Sequence, residues 1–164
     1  MKIATISDLH DNLENLTKCL NWCKQNKINQ LICLGDVTNS QTLNYLAKNF
    51  KNNIYLVTGN AEIYNENELK KFKNIKFYGE YGSFNIDNKK VGICHEKYLV
   101  NKIIKENKVD IIFYGHSHKP WQEKVRQTRL INPGTLAGLF YKASFAVWST
   151  ESGKIELKIL EQIK

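Results

Sequence analysis

The stretch KIATISDLHDNLENLTKCLNWCKQNKINQLICLGD, residues 2–36, contains a strand, a helix and a second strand in succession. Residues 2–7 are largely apolar and predict a buried strand, and residues 30–35 predict another. Between them, residues 12–26 carry apolar side chains at positions 13, 16, 19, 20 and 23, which is the spacing of one helical face. This order favours parallel strands with the helix packed over the sheet.

The chain continues in the same alternation. Ser40 is predicted to cap a helix that runs through Phe50, and residues 53–59 predict a third strand. The other predicted elements are a hairpin over residues 82–95 turning at Asp87-Asn88, a helix over about 97–107, a strand over 109–115, and β-structure over 121–132 and 144–160 with a turn at Ser152-Gly153. Without repeats or a linker, the sequence predicts one α/β domain over residues 1–164, with two sheets between helical layers.

The composition is that of an ordinary globular chain, with 42% hydrophobic and 24% charged residues. No apolar run approaches the ~20 residues that span a bilayer. The N-terminus reaches Asp8 too early to contain the apolar core of a signal peptide. We therefore expect a cytoplasmic protein without a membrane partner. The cysteines form no CxxC pair and are expected to be reduced thiols: Cys19, Cys23, Cys33 and Cys94.

The net charge of +8 comes almost wholly from lysines that are scattered along the chain. Nucleic-acid surfaces cluster lysine and arginine on one face, so a nucleic-acid partner is not favoured, although it stays open. A basic surface would still steer phosphate-bearing substrates toward the protein.

Polar side chains gather where five predicted strands end, and ligands of open α/β sheets bind at that edge. A single such residue is usually a turn former or a structural histidine. Seven together are harder to explain in that way, because converging carboxylates and imidazoles repel one another unless cations neutralise them. The set includes all four histidines of the chain: Asp8, His10, Asp36, Asn60, His95, His116 and His118.

Imidazole nitrogens with carboxylate and amide oxygens suit Mn, Fe, Ni, Co or Zn, and we expect Mn²⁺ first. Seven donors exceed one coordination shell that must also leave a position for water. They suffice for two divalent ions if one carboxylate bridges, and two ions about 3.5–4 Å apart form a clamp for in-line displacement at phosphorus.

The ordered blocks D-x-H, GD, GN, H and GHSH resemble those of the calcineurin-like metallophosphoesterases, and within them the small single-domain phosphodiesterases of bacteria and archaea. The resemblance extends from Asp8 to about Gly134 and includes INPGT, residues 131–135. It implies a four-layer αββα sandwich with two mixed β-sheets. It also implies a metal-dependent phosphodiesterase that hydrolyses small phosphoesters.

The resemblance further implies a role for each donor. One ion is assigned to Asp8, His10 and His118, and the second to Asn60, His95 and His116. Asp36 is the bridge, and Asp36, Asn60 and His95 are the residues expected to act in catalysis.

Three positions depart from the family pattern without changing a metal ligand. Ala61 stands where many members have a histidine that protonates the leaving group. His95-Glu96-Lys97 stands where the small branch frequently has HGH. The segment after Gly134 lacks the cation often found there.

The expected mechanism is attack at phosphorus by a hydroxide that the two ions generate from a shared water. Because Ala61 cannot donate a proton, turnover should depend strongly on the leaving group. Two alternatives stay open. One is a non-catalytic scaffold, since the small retromer subunit shares this fold and binds proteins, and the other is a small metal-dependent nuclease. The oligomeric state, including a homo-oligomer, also stays open.

Overall fold

The computed structural model describes residues 1–163. Three α-helices lie in this part of the chain: α1 (Leu13–Gln25), α2 (Ser40–Asn49) and α3 (Val100–Glu106). The strands are β1 (Lys2–Ile6), β2 (Gln30–Cys33), β3 (Asn53–Leu56), β4 (Ile75–Phe77), β5 (Tyr81–Ile86), β6 (Lys89–Cys94), β7 (Ile111–Phe113), β8 (Trp121–Val125), β9 (Thr128–Asn132), β10 (Ser144–Ser149) and β11 (Ile155–Ile159). Short 3₁₀ helices cover Glu66–Lys71, Lys97–Leu99 and Leu160–Gln162.

The first sheet has the order β11-β10-β1-β2-β3-β4. Strands β1 to β4 run parallel, whereas β10 and β11 are antiparallel to their neighbours. β1 therefore lies in the middle of the sheet, between β2 and a strand from the far end of the sequence. The parallel strands all bring their carboxyl ends to one edge.

The second sheet has the order β5-β6-β7-β9-β8. Strands β6, β7 and β9 are parallel, and β5 and β8 are antiparallel strands at the two sides. The β5–β6 hairpin turns at Asp87 and Asn88, whose φ angles of 45° and 57° are the left-handed values of a tight two-residue turn. This confirms the hairpin predicted from the sequence.

Three apolar cores separate four layers. The outer core of the first sheet packs α1 and α2 against its strands, with Leu16, Leu20 and Leu46 among its fully or almost fully buried side chains. The core between the sheets includes Ile32 and Phe113. A third core packs α3 against the second sheet. The predicted αββα sandwich with two mixed sheets is confirmed.

Some element bounds differ from the prediction. Asn39, not Ser40, caps α2, because the Asn39 side chain accepts the backbone N–H of Thr42 at 2.9 Å. The helix predicted over 97–107 is a 3₁₀ turn followed by α3, without a side-chain cap at either start. The sequence did not predict β4, whose three residues are too few to show an alternating pattern.

Within residues 1–163, no helix combines the length and the apolar character that crossing a bilayer requires.

Candidate metal centre

The seven predicted donors lie together where the carboxyl edges of the two sheets meet. Asp8 and His10 follow β1, Asp36 follows β2, and Asn60 follows β3 in the first sheet. The second sheet supplies the other three donors, which follow β6 and β7: His95, His116 and His118. The centre is therefore built from both sheets, with the shared core beneath it.

One group of donors consists of Asp8, His10 and His118. The His118 Nε2 atom lies 3.2 Å from Asp8 Oδ1 and 3.2 Å from His10 Nε2. Together with Asp36, these residues offer ligand atoms that all lie within 4.8 Å of one another. Such a cluster can hold one ion.

A second group consists of Asn60, His95 and His116. Asn60 Oδ1 lies 3.0 Å from His95 Nε2 and 2.8 Å from His116 Nδ1. The His95 Nδ1 atom donates to the carbonyl of Leu34 at 2.6 Å, which leaves Nε2 with a free lone pair in the neutral ring.

The carboxylate of Asp36 lies between the two groups. Its Oδ2 atom is 3.5 Å from His10 Nε2 and 3.4 Å from His95 Nε2. Its other oxygen accepts the backbone N–H of Ala61 at 2.8 Å. One oxygen is thus used to fix the side chain, and the other faces both groups.

The chemistry of the donors fits bound cations. Asp8 is fully buried, and neither of its carboxylate oxygens has a hydrogen-bond partner. His118 Nδ1 donates to the carbonyl of Leu139 at 3.3 Å, so in the neutral ring the Nε2 lone pair faces Asp8 and His10. Electron-rich atoms that converge in a buried place are costly unless a cation lies among them.

The acid groups of the centre are shifted in opposite directions. Burial raises the pKa of Asp8 above its ordinary value, although the nearby His95 and His118 oppose this effect. Burial also acts to raise the pKa of Asp36, but the hydrogen bond and charge of His95 outweigh it, and the pKa of Asp36 is lowered. Burial acts to lower the pKa of His95, but the hydrogen bond and charge of Asp36 outweigh it, and the pKa of His95 is raised.

The backbone bends sharply at the donors. Five of the seven have a positive φ, between 40° and 64°: Asp8, His10, Asp36, His116 and His118. Non-glycine residues adopt this left-handed conformation infrequently, and Asp and His tolerate it better than bulky residues do. Strained backbone of this kind clusters at functional sites.

The glycines of the GD and GN blocks permit close contact of two loops. A Cβ atom on Gly59 would collide with the Asp36 carboxylate, and one on Gly35 would collide with the Gly59 backbone. The loops after β2 and β3 therefore touch through their backbones, which places Asp36 beside Asn60.

Glu62 connects these two loops by hydrogen bonds, a role that the sequence did not predict. Its carboxylate accepts the backbone N–H groups of Val37 at 3.2 Å, Thr38 at 2.7 Å and Gly59 at 3.2 Å. Burial raises the pKa of Glu62, and these three hydrogen bonds partly oppose the shift. The only signal in the sequence is an acidic residue two positions after Asn60.

Asn132 has a comparable role in the INPGT segment. Its side chain donates to the carbonyl of Gly115 at 2.8 Å and to Ser117 Oγ at 3.1 Å, and it accepts the N–H of Gly134 at 2.9 Å. The segment also reaches the loop of Asp8, where Thr135 Oγ1 donates to the Asp8 carbonyl at 3.1 Å. The INPGT turn thus positions donors of both sheets.

Comparison with known proteins agrees with this architecture. A curated relative, phosphodiesterase MJ0936 of Methanocaldococcus jannaschii, is 29% identical over 150 residues, which cover 84% of this chain and 86% of the relative. The solved structure of a novel archaeal phosphodiesterase has a TM-score of 0.86 at 26% identity, over 97% of this chain and 99% of that one. The structure of Vps29 from Chaetomium thermophilum has a TM-score of 0.72 at 19% identity, over 97% and 95% of the two chains, and shares the fold.

The family model of the calcineurin-like phosphoesterase superfamily domain matches residues 1–153. This match covers nearly the whole chain and every donor of the centre. The chain therefore belongs to the calcineurin-like phosphoesterase superfamily.

Proposed function

We propose that the protein is a phosphodiesterase that uses two divalent metal ions held by these seven donors. The observation that carries the proposal is the position of Asp36 Oδ2, which lies within 3.5 Å of a histidine from each group. A single carboxylate oxygen between two sets of nitrogen and oxygen donors is the arrangement that a shared ligand of two ions requires. The phosphodiesterase relatives support the reaction class.

In this proposal Asp8, His10 and His118 hold one ion, Asn60, His95 and His116 hold the other, and Asp36 bridges. The nitrogen and oxygen donors suit Mn²⁺ first, with Ni²⁺, Fe²⁺, Co²⁺ and Zn²⁺ as the other candidates. When bound, the ions supply an activated water and neutralise charge on the phosphoryl oxygens.

The chain's own residues prepare this chemistry. Against the effect of burial, the hydrogen bond and charge of His95 lower the pKa of Asp36, and this direction favours the carboxylate form that a bridging ligand needs. The hydrogen bond from His95 Nδ1 to Leu34 holds the ring so that Nε2 points at the centre. Ala61 contributes only its backbone N–H, so no side chain at that position donates a proton to a departing alkoxide.

The wider setting belongs to the same proposal. We assign residues 1–164 to one domain that acts on a small phosphoester. We also propose a reducing, cytoplasmic location, because Cys19, Cys23, Cys33 and Cys94 are all free and buried.

The proposal is tested with protein stripped of metal and re-supplied in turn with Mn²⁺, Ni²⁺, Mg²⁺ or Zn²⁺. We expect about two ions per chain by mass spectrometry and hydrolysis of bis(p-nitrophenyl) phosphate well above that of p-nitrophenyl phosphate. A single tightly held ion, or no hydrolysis of any phosphodiester with any ion, would contradict it.

A further inference from the structure

A cavity of about 370 Å³ opens directly beside His116. This volume is at the lower end of the range for small-molecule sites, ~300–1,000 Å³. Its walls combine aromatic rings with amino groups, and they come from the segments after β6 and β7, the first residue of β8 and the loop before β10. The residues that define it are Lys97, Tyr114, His116, Lys119, Trp121 and Tyr141.

The aromatic walls are open to solvent. Trp121 is 50% exposed and Tyr141 is 43% exposed, although both are large side chains that proteins usually bury. Trp121 is the first residue of β8, the outermost strand of its sheet, so a neighbouring strand does not cover its outer side. Exposed aromatic rings at the mouth of a polar site are typical of stacking platforms for planar groups.

The cavity also carries two cations of different character. Lys97 Nζ is fixed by Glu123 Oε1 at 2.6 Å and lies 5.7 Å from the centre of the Tyr114 ring. Lys119 Nζ lies 5.2 Å from the centre of the Trp121 ring. Within residues 1–163, no carboxylate forms an ion pair with Lys119, so its charge is available to a ligand.

A second cavity beside the metal centre, here called the acidic cavity, has the opposite charge. It has a volume of about 190 Å³ and is bordered by Asn60 and His95, and its charged lining residues are Glu80 and Glu96. The anionic arm of a substrate would therefore favour the cavity of Lys119 over the acidic cavity.

We propose that the cavity beside His116 binds the nucleoside arm of an asymmetric phosphodiester. The nucleobase packs against the exposed rings of Trp121 and Tyr141, and a further phosphate on that arm pairs with Lys119. The metal donor His116 lines the cavity, so this arm would continue directly into the reacting phosphate. This inference rests on the proposed phosphodiesterase function and names the class of substrate.

A kinetic test uses two diesters with the same leaving group, thymidine 5′-(p-nitrophenyl phosphate) and methyl p-nitrophenyl phosphate. We expect kcat/KM to favour the nucleoside ester by about 5- to 150-fold, since stacking of one base is worth ~1–3 kcal/mol. Trp121→Ala should reduce this ratio at least fivefold, mainly through KM. The control Tyr98→Ala removes an exposed aromatic ring from the acidic cavity lined by Glu80 and Glu96, and it should leave the ratio unchanged.

A binding test separates the cavity from turnover. Calorimetry on the intact chain should show thymidine 3′,5′-bisphosphate binding more tightly than thymidine 5′-monophosphate. Lys119→Gln should abolish this difference. The control Lys108→Gln removes the same charge from an exposed position at the other end of β7 and should preserve it.

The outcomes distinguish the two proposals. Failure of every metal to support hydrolysis would refute the phosphodiesterase, and the binding test would still decide the nucleoside site. Hydrolysis of both esters at equal rates, with binding unaffected by Trp121→Ala and Lys119→Gln, would overturn the nucleoside site alone. A kinetic ratio that decreases in Tyr98→Ala instead of Trp121→Ala would also overturn the nucleoside site, because the base would then lie in the acidic cavity.

Discussion

Asp36 offers the sharpest test at the scale of single residues, because its Oδ2 atom faces both groups of donors. Asp36→Asn keeps an oxygen for the N–H of Ala61 and removes the charge between the groups. We expect it to lose both ions and nearly all activity, whereas Asn60→Ala should retain the ion of the other group. Metal content by mass spectrometry and the rate on bis(p-nitrophenyl) phosphate measure the two effects.

The role of Asp36 as a bridge would be wrong if both variants kept two ions and equal residual rates. Asp36→Ala serves as the more severe comparison, since it also releases the backbone of Ala61. Its metal content and its activity should fall at least as far as those of Asp36→Asn.

Ala61 leads to a second prediction at this scale. Without a side-chain acid there, negative charge should build up on the departing oxygen. We expect aryl phosphodiesters to react far faster than alkyl ones, with a steep decrease of log kcat as the leaving-group pKa rises. Ala61→His should restore part of the rate on poor leaving groups if the ring comes within ~3 Å of the departing oxygen.

Glu62 provides the control for that prediction. Its carboxylate already accepts three backbone N–H groups, so we expect Glu62→Gln to leave the leaving-group slope unchanged. The variant should instead lose about 1–3 kcal/mol of stability, because a buried N–H is left without an acceptor. A shallow slope in the parent protein that becomes steep in Glu62→Gln would show that Glu62 is the acid.

The sequence predicted which polar residues lie together at the sheet edges better than it predicted the residues that support them. The donors follow apolar strands, and the edge of a parallel sheet brings such residues together whatever the details of the loops. Glu62 and Asn132 act by bonding to backbone groups of loops that are distant in the sequence. Nothing in the spacing of residues indicates such contacts, so their roles required the structure.

At the scale of elements, the strongly periodic segments were predicted well. The α1 helix was predicted over 12–26 and spans Leu13–Gln25, because its buried positions follow the helical period closely. The start of α2 was misplaced by one residue, since Asn39 and Ser40 are both good caps and only the geometry selects one. The strand β4 was not predicted, because it has three residues and forms by pairing with β3.

The β5–β6 turn makes a prediction at this scale. The Asp87 carboxylate accepts from Thr150 Oγ1 at 2.7 Å and from the Met1 amine at 3.2 Å, and so connects the two sheets. The hydrogen bond of Thr150 and the N-terminal amine lower the pKa of Asp87 below its ordinary value of 3.8. A carboxyl with a depressed folded-state pKa stabilises the protein above its unfolded pKa, and this contribution disappears as the pH falls through the folded-state value.

Asp87→Asn should therefore lower the melting temperature at pH 7, and this difference should shrink as the pH falls below 3.8. Asparagine tolerates the φ of 45° at this turn, so the backbone is retained. Thermal melts of both proteins between pH 2 and pH 7 measure the difference. An equal difference at all pH values would show that the charge of Asp87 is irrelevant.

At the scale of the whole molecule, the proposed ions connect two sheets that otherwise meet through apolar packing. Four donors come from the first sheet and three from the second. Ions bound at 1,000 times their Kd stabilise the folded chain by about 4 kcal/mol each. For a chain of this size, each kcal/mol changes the melting temperature by roughly 2–4 °C.

Removal of both ions by chelation should therefore lower the melting temperature by about 16–32 °C, of which each ion accounts for about half. Calorimetry of the metal-loaded protein with and without EDTA measures this change. The matched control is Asp36→Asn, whose melting temperature should respond little to EDTA. A similar response in the parent and in Asp36→Asn would place the stabilising ions elsewhere.

The position of β1 in the middle of its sheet has a consequence for the order of synthesis. β1 leaves the ribosome before any other strand, but its partner β10 ends only at Ser149. At ~5–20 residues per second, the roughly 116 residues between Cys33 and Ser149 take about 6–23 s to be made. During that time one side of β1 has no partner strand, and for most of it Asp8 and His10 also lack His118. The nascent chain can thus complete its site only late in translation, which makes that interval the period when a chaperone would be of most use.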